Sequence, residues 1–455
     1  MLLRVTLHGR RYEFPDLRRL MSKANEEKSG DHLAGVAAES AIERAAARFV
    51  LAEVPLSALR ENPAVPYAED EVTRVIDDAV DETVYAEIKG WRVGAFREWL
   101  LADTTTGDMI RRLSAGLTAE MVAAVTKLMS ALDLVSAAAK LRVTARCRNT
   151  VGLPGTLASR NQPNHPTDSP EGIAAAIYEG LSYGSGDAVI GINPADDRFD
   201  SVARLLEMTH GIIEHWQIPT QNCVLAHITT QMQCLRAGVP AGLLFQSLAG
   251  SQAGNQSFGI SVPLLDEAHD LARRHCVSPG PNVMYFETGQ GSELSAEAHH
   301  GWDQLVMEAR CYGLAKRYQP FLVNTVVGFI GPEYLYDARQ IQRAALEDHF
   351  MGKLTGLPMG CDACYTNHAR ADQNDIESLA VLLTAAGCNY FMGVPMGDDA
   401  MLSYQCTSYH DTATLRHLFK LRPAPEFEAW MERIGLMEDG RLTAAAGDPT
   451  FFAGR

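Results

Sequence analysis

The chain has 455 residues, 46% apolar and 21% charged, proportions that exclude a disordered or fibrous design and supply a sizeable core. Forty Lys and Arg stand against 56 Asp and Glu, and the resulting net charge of -16 repels phosphate backbones, so nucleic acid is not expected as the main partner. A chain this long predicts one large core domain of about 250 residues with additions at its ends.

The opening MLLRVTLHGRRYEF alternates apolar and polar residues through a Gly turn, which predicts a short hairpin over the first 15 residues and not a secretory signal. No segment approaches the roughly 18 consecutive apolar residues of a membrane span, so a cytosolic protein is expected. Nine cysteines, an odd number spread along the chain, fit reduced thiols better than a disulfide framework. From Leu17 to Leu141 the pattern is helical, clearest over Ala37 to Leu51 and Thr118 to Leu134, with breaks at Asn62-Pro63 and Val65-Pro66.

Near Arg148 the texture changes to short β-rich apolar runs separated by amphipathic segments, the runs starting near Thr150, Ala188, Cys223, Leu243, Val283, Phe321, Leu354 and Asn389. Helix signals lie between them. Ser169 caps a helix with Pro170 at its first position; Val202, Leu205, Leu206, Thr209, Ile213 and Trp216 share one helical face; Asp375 and Gly387 bracket a helix over Ile376 to Ala386. Eight βα units in about 250 residues predict an α/β fold, a (β/α)8 TIM barrel. An open doubly wound sheet is the alternative, but VGLPGT at Val151 to Thr156 lacks the spacing of a phosphate-binding loop. From Met401 the pattern returns to helix, in MLSYQC and in PEFEAWMERIGLM. The expected division is an N-terminal region (1–147), hairpin then mostly helical, a barrel (148–400), and a short C-terminal helical extension (401–455).

Active sites of such barrels sit at the C-terminal strand ends. Arg160 and Gln162 follow the first run, Asn193 ends the second, His227 and Gln246 lie late in the third and fourth, Glu287 ends the fifth and Asp362 the seventh. A single polar residue at a strand end is ordinarily leaving the core for solvent. An Arg, two amides and two carboxylates converging on one mouth instead suit a small substrate with a cationic end and a hydroxyl or carbonyl end. Cys361, Cys364 and His368 form half a zinc signal, with no second ligand pair at matching spacing; two small semi-buried residues near a strand end is the plainer reading. A metal-dependent lyase or hydrolase using them with Asp362, or a non-enzymatic scaffold, remain the competing readings.

Long stretches now place the chain beside a known family: KANEEKSGDHLAGVAAES, AAIYEGLSYGSGDAVIGINP, IPTQNCVLAHITTQ, YFETGQGSELSA, PFLVNTVVGFIGPEYLYDARQI, LEDHFMGKLTGLPMGCDACYTNHA and GCNYFMGVPMGDD. Together they resemble the large subunit of ethanolamine ammonia-lyase over essentially the whole chain. The resemblance implies a carbon–nitrogen lyase that uses adenosylcobalamin (coenzyme B12) in a radical deamination of ethanolamine to acetaldehyde and ammonia. It implies that Arg160, Gln162, Asn193, Glu287 and Asp362 bind ethanolamine, with Glu287, Arg160 and Asp362 central to catalysis. Pro194, Gln246, Ser295 and Met401 would contact the cobalamin. A separate small subunit is implied as partner, and large subunits are expected to self-associate through the N-terminal helices. Free cytosolic and microcompartment locations both stay open. His227 is expected to be satisfied by its neighbours and not to ligate cobalt, because no D-x-H-x-x-G motif is present.

Overall fold

The computed structural model describes residues 3–452, so Met1, Leu2 and the last three residues of the predicted tail lie outside the described residues. Strands Arg4–Leu7 and Arg10–Glu13 pair antiparallel about His8 and Gly9, both at positive φ, as the alternation predicted. Helices follow. Ala41–Ala52 begins at Ser40, whose hydroxyl accepts from the Glu43 N–H, four residues after the predicted start. The single helix expected over Thr118 to Leu134 is two, Ala119–Lys127 and Ala131–Lys140. Ser130 restarts the second through a reciprocal capping box with Asp133, a signal that outweighs continuous apolar periodicity.

The barrel strands are β1 (Ala158–Asn161), β2 (Val189–Ile192), β3 (Asn222–Val224), β4 (Leu244–Ser247), β5 (Met284–Thr288), β6 (Leu322–Val327), β7 (Met359–Thr366) and β8 (Tyr390–Gly393). They are parallel neighbours in the order β3-β2-β1-β8-β7-β6-β5-β4. The seam between β3 and β4 is tied by the Leu243 N–H donating to the Asn222 carbonyl at 3.1 Å, so the cylinder is nearly closed. β2 and β3 are buried at every position, as expected of parallel strands covered on both faces.

Alternating with the strands are the main helices α1 (Pro170–Ser182), α2 (Phe199–Trp216), α3 (Ile228–Arg236), α4 (Val262–His275), α5 (Gln304–Lys316), α6 (Ala338–Thr355), α7 (Gln373–Ala385) and α8 (Tyr409–Phe419). Ser169 caps α1 with Pro170 at its first position, as the sequence predicted. α7 starts three residues earlier than expected: Asp372 is its cap, and Asp375 completes the capping box from inside the first turn.

Three further expectations are corrected. Thr150–Val151 belongs to a small hairpin with Ala145–Arg146, and the first barrel strand begins at Ala158. Leu354 lies in the last turn of α6, and the strand begins at Met359 after the left-handed Gly356. MLSYQC is no helix; Tyr404–Cys406 is a strand pairing antiparallel with both the end of β7 and Asp398–Asp399. Pro425–Ile434 is helical as predicted.

The N-terminal helices dock on α5 and α6. Burial there includes charges in matched sets: Arg310 with Asp70 and Glu120, both 2.8 Å; Lys28 with Glu347, 2.8 Å; and Lys127 with Asp303, 2.5 Å. Removing one partner of such a pair costs about 3–5 kcal/mol, which ties these helices to one docking arrangement.

Candidate active site

At the C-terminal ends of the strands lies a cavity of about 470 Å3, lined by Arg160, Gln162, Asn193, Gln246, Glu287 and Asp362 among apolar walls that include Val326, Phe329 and Leu402. All five predicted substrate residues line it. A larger hollow of about 850 Å3 lies beside α8, but its Arg416 is already held by Asp187 and its Arg422 by Glu428.

Arg160, on β1, is 1% exposed. Its Nη1 donates to the Tyr285 hydroxyl at 2.7 Å and to Glu287 Oε1 at 2.9 Å, while Nε and Nη2 donate to the Gly191 carbonyl at 3.4 and 3.2 Å. Those contacts use four of its five N–H groups and leave one at Nη2. Burial pulls its pKa down, but the neighbouring Tyr285, Glu287, Tyr404 and Asp362 outweigh that and hold it above the usual guanidinium value.

Glu287 is held from one side only. Its Oε1 accepts from Arg160, from the Tyr285 hydroxyl at 2.6 Å and from Asn324 Nδ2 at 3.4 Å, whereas Oε2 has no hydrogen bond among the described residues. Tyr285 was missed by the sequence reading, although it lies two residues before Glu287 on the same strand and so on the same face.

Asp362 lies in the middle of β7, not at its end, because the strand runs on to pair with Tyr404–Cys406. Its Oδ2 accepts from the Tyr404 hydroxyl at 2.7 Å, and its Oδ1 is buried with no partner among the described residues. Burial pushes this carboxyl up to about 7; the Tyr404 hydrogen bond lowers it, the charge of Glu287 raises it, Arg160 lowers it and Asp399 raises it. A cation arriving beside Asp362 must therefore displace a proton below neutral pH. Affinity for a small ammonium ligand is expected to rise about tenfold per pH unit up to about pH 7 and to level above it, with release approaching one proton at pH 6. Calorimetric titrations in buffers of different ionisation enthalpy measure both quantities; affinity unchanged between pH 5.5 and 7.5 would exclude the assignment of the cation to Asp362.

Gln162 Nε2 donates to Asp399 Oδ2 at 2.7 Å and to the Tyr404 hydroxyl oxygen at 2.9 Å. The Asn193 N–H donates to Asn164 Oδ1 at 2.8 Å. Tyr404, Asp399 and Asn164 are further site residues outside the predicted set; Tyr404 escapes it because MLSYQC reads as a helix.

The four residues expected to meet the cofactor lie at or beyond the C-terminal ends of four strands: Gln246 late in β4, Pro194 past β2, Ser295 past β5 and Met401 past β8. Only Gln246 lines the cavity; Pro194 and Met401 are half-buried and Ser295 is exposed. His227 caps α3: its Nδ1 accepts from the Thr229 N–H at 3.3 Å, and its Nε2 donates to the Phe258 carbonyl at 3.0 Å. Both ring nitrogens are engaged within the chain. Cys361 and Cys364 are buried on β7 while His368 is exposed beyond it, and among the described residues no three His, Cys, Asp or Glu side chains form a group able to hold a metal ion.

A (β/α)8 barrel whose mouth encloses a buried guanidinium, three amides and two carboxylates, each carboxylate with an oxygen that has no partner among the described residues, defines a barrel enzyme for a small polar substrate. Residues 12–445 match the family model of the ethanolamine ammonia lyase large subunit. The chain is 55% identical over 452 residues to the ethanolamine ammonia-lyase large subunit of Escherichia coli strain K12, covering 99% of this chain and 100% of that one. The same values hold for the large subunit from Salmonella typhimurium strain LT2. The chain belongs to the ethanolamine ammonia-lyase large-subunit family.

Proposed function

We propose that this chain is the catalytic large subunit that, with a small subunit and adenosylcobalamin, deaminates ethanolamine to acetaldehyde and ammonia. The observation that carries the reading is the unpartnered, buried Oδ1 of Asp362 in the same cavity as the free Oε2 of Glu287. A buried carboxylate oxygen without a donor is costly, and an ammonium brings three donors to it. Asp362 and Glu287 together hold the ammonium end of the substrate. The remaining Nη2 hydrogen of Arg160 and the amide of Asn193 donate to its hydroxyl oxygen, and they stabilise that oxygen as charge redistributes at its carbon. Val326, Phe329, Ile330 and Leu402 exclude water from the same space and strengthen each of these contacts.

Gln246, Ser295, Pro194 and Met401 would hold the cofactor at the mouth. An amide and a hydroxyl would suit the amide-fringed edge of a corrin ring, and both His227 nitrogens are engaged within the chain instead. When bound, adenosylcobalamin supplies the carbon radical that takes hydrogen from the hydroxyl-bearing carbon. The chain's own contribution is to fix that carbon in place by both ends of the substrate.

The small subunit is proposed to complete the cofactor site. Large subunits are proposed to associate through the N-terminal helices, where Leu33, Phe49 and Leu132 are exposed. The N-terminal, barrel and C-terminal division of the sequence is retained as a proposal. No helix among the described residues is long and apolar enough to cross a membrane. A cytoplasmic enzyme, free or packed in a bacterial microcompartment, is the proposed setting.

Ammonia release from ethanolamine is expected only when the chain, the small subunit and adenosylcobalamin are combined. Full turnover by the isolated chain with cofactor would overturn the two-subunit reading, and no turnover by the complete mixture would overturn the function. Sedimentation of the same chain should show self-association; a monomer at working concentration counts against the interface.

A further inference from the structure

Asp399 belongs to no part of the substrate or cofactor set described above, yet it is 3% exposed and ends the short strand Asp398–Asp399 after β8, paired with Tyr404 of the strand Tyr404–Cys406. Its Oδ2 accepts from Gln162 Nε2 and from Asn164 Nδ2, both at 2.7 Å, and its Oδ1 accepts from the Leu402 N–H at 2.9 Å. Its carbonyl accepts from the Ser403 N–H at 2.8 Å and so helps close the turn that carries Met401 and Leu402. Ser403 is held at φ 57°, a conformation that a loose loop would relinquish.

Each of these contacts leads to a substrate position. Gln162 is bound directly. Asn193 is reached through Asn164, whose Nδ2 is on Asp399 and whose Oδ1 takes the Asn193 N–H. Asp362 is reached through Tyr404, whose hydroxyl lies 2.9 Å from Gln162 Nε2 and donates to Asp362 Oδ2. One carboxylate therefore stands behind three of the five residues at the mouth.

The chemistry at Gln162 is decided by this contact. An ionised carboxylate has no donor, so an amide 2.7 Å away must turn its NH2 toward it. Both Nε2 hydrogens are then consumed, one on Asp399 and one on Tyr404, and only the carbonyl Oε1 is left for the cavity. Gln162 consequently faces a ligand as an acceptor and selects a ligand with a hydrogen to donate. Asn164 is fixed in the same sense, its oxygen left for the Asn193 backbone.

We propose that Asp399 is the positioning residue of this site: its carboxylate fixes the orientation of the Gln162 and Asn164 amides, presents Gln162 Oε1 as an acceptor to the donor end of the substrate, and anchors the turn over the cavity. The proposal rests on the ethanolamine reading and extends it. Its charge also bears on Asp362, whose other charged or titratable neighbours are Glu287 on β5, Arg160 on β1 and Tyr404 on the adjoining strand, with Cys361 and Cys364 on its own strand and Cys406 opposite. Of these, Glu287 and Asp399 raise the Asp362 pKa, and Arg160 and the Tyr404 hydrogen bond lower it.

Asp399→Asn is the informative change, because an amide cannot accept on both sides. If its oxygen meets Gln162 and Asn164, its NH2 opposes the Leu402 N–H; turned around, its NH2 opposes two other NH2 groups. The KM for ethanolamine is expected to rise about tenfold or more, as one charge-assisted contact is lost and Gln162 becomes free to flip. The acidic limb of kcat/KM against pH should move down by roughly half to one unit, because a negative neighbour of Asp362 has gone. A general loss of packing would not move that limb. The wild-type complex is assayed in parallel: an inactive wild type defeats the ethanolamine reading, whereas an active wild type with an Asp399→Asn variant of unchanged KM and unchanged acidic limb defeats the role of Asp399. Should Asp399→Asn fail to assemble, Asn164→Ala carries the test. That variant should raise KM while leaving the acidic limb in place, and an unchanged KM overturns the proposal.

Discussion

Glu287→Gln is expected to lower kcat/KM at least a hundredfold while leaving the barrel folded. Three donors converge on Glu287 Oε1, from Tyr285, Arg160 and Asn324. A glutamine must keep its carbonyl oxygen at that position, since the alternative sets an NH2 against those donors. Its NH2 then occupies the place of Oε2, where the substrate requires an acceptor. Two losses combine. One charge-assisted contact worth about 1.5–3 kcal/mol is removed from the substrate, and the buried Arg160 loses its anionic partner. A misplaced carbon is no longer within reach of the abstracting radical, so the fall should appear in kcat as well as in KM. Glu287→Asp should also be damaging, because the shorter side chain cannot keep Tyr285 and Arg160 while reaching the substrate. Steady-state kinetics on folded, cobalamin-bound variants test this; near wild-type turnover and affinity in Glu287→Gln would reduce Glu287 to a structural strand-end residue.

The contrast between Glu287 and Tyr404 shows what the sequence made legible. Glu287 sits at the end of an apolar, β-rich run, and the barrel rule alone sends such a residue to the mouth. Strands such as β2 were readable for the same reason, since strands buried on both faces are short and largely apolar, and Ser169-Pro170 punctuates the chain by local chemistry; β1, with the sequence Ala-Ser-Arg-Asn, was not, and the run at Thr150 is a separate hairpin. Boundaries were less readable. Asp372 and Asp375 are both good caps, and only the reciprocal pair of hydrogen bonds decides between them. Tyr404 and Asp399 were hidden for a different reason: their hairpin borrows its pairing from the overrunning end of β7, roughly 40 residues upstream, a tertiary contact with no local signature. The same contact carried Asp362 into the interior of a strand. The proposed substrate set thus followed from pattern and resemblance, whereas the side chains that hydrogen-bond to it, Tyr285, Asn164, Asp399 and Tyr404, needed coordinates.

Gly191→Ala is expected to cost about as much as a change in the catalytic set itself, although glycine has no side chain to contribute. Gly191 lies on β2 with its carbonyl accepting from Arg160 Nε and Nη2. A Cβ built there would stand 2.8 Å from Arg160 Nε and 3.4 Å from Cζ, so the guanidinium fills the space a side chain would take. Its backbone is not in the positive-φ region, so strain is no obstacle to alanine. By itself the exchange in a compatible conformation would stabilise by about 0.4–1 kcal/mol through the unfolded chain. The close approach reverses that sign, since overpacking a filled interior costs about 1–3 kcal/mol. Arg160 must move, and it cannot retreat without leaving the Tyr285 hydroxyl and Glu287 Oε1, 2.7 and 2.9 Å away. A shift near 1 Å at a positioning group costs about a hundredfold in rate. The expected result is therefore a folded variant, little changed in circular dichroism, whose kcat/KM for ethanolamine falls about a hundredfold. Wild-type kinetics in Gly191→Ala would mean that the guanidinium has another place to sit, and that the Gly191 cradle does not set the geometry of the site.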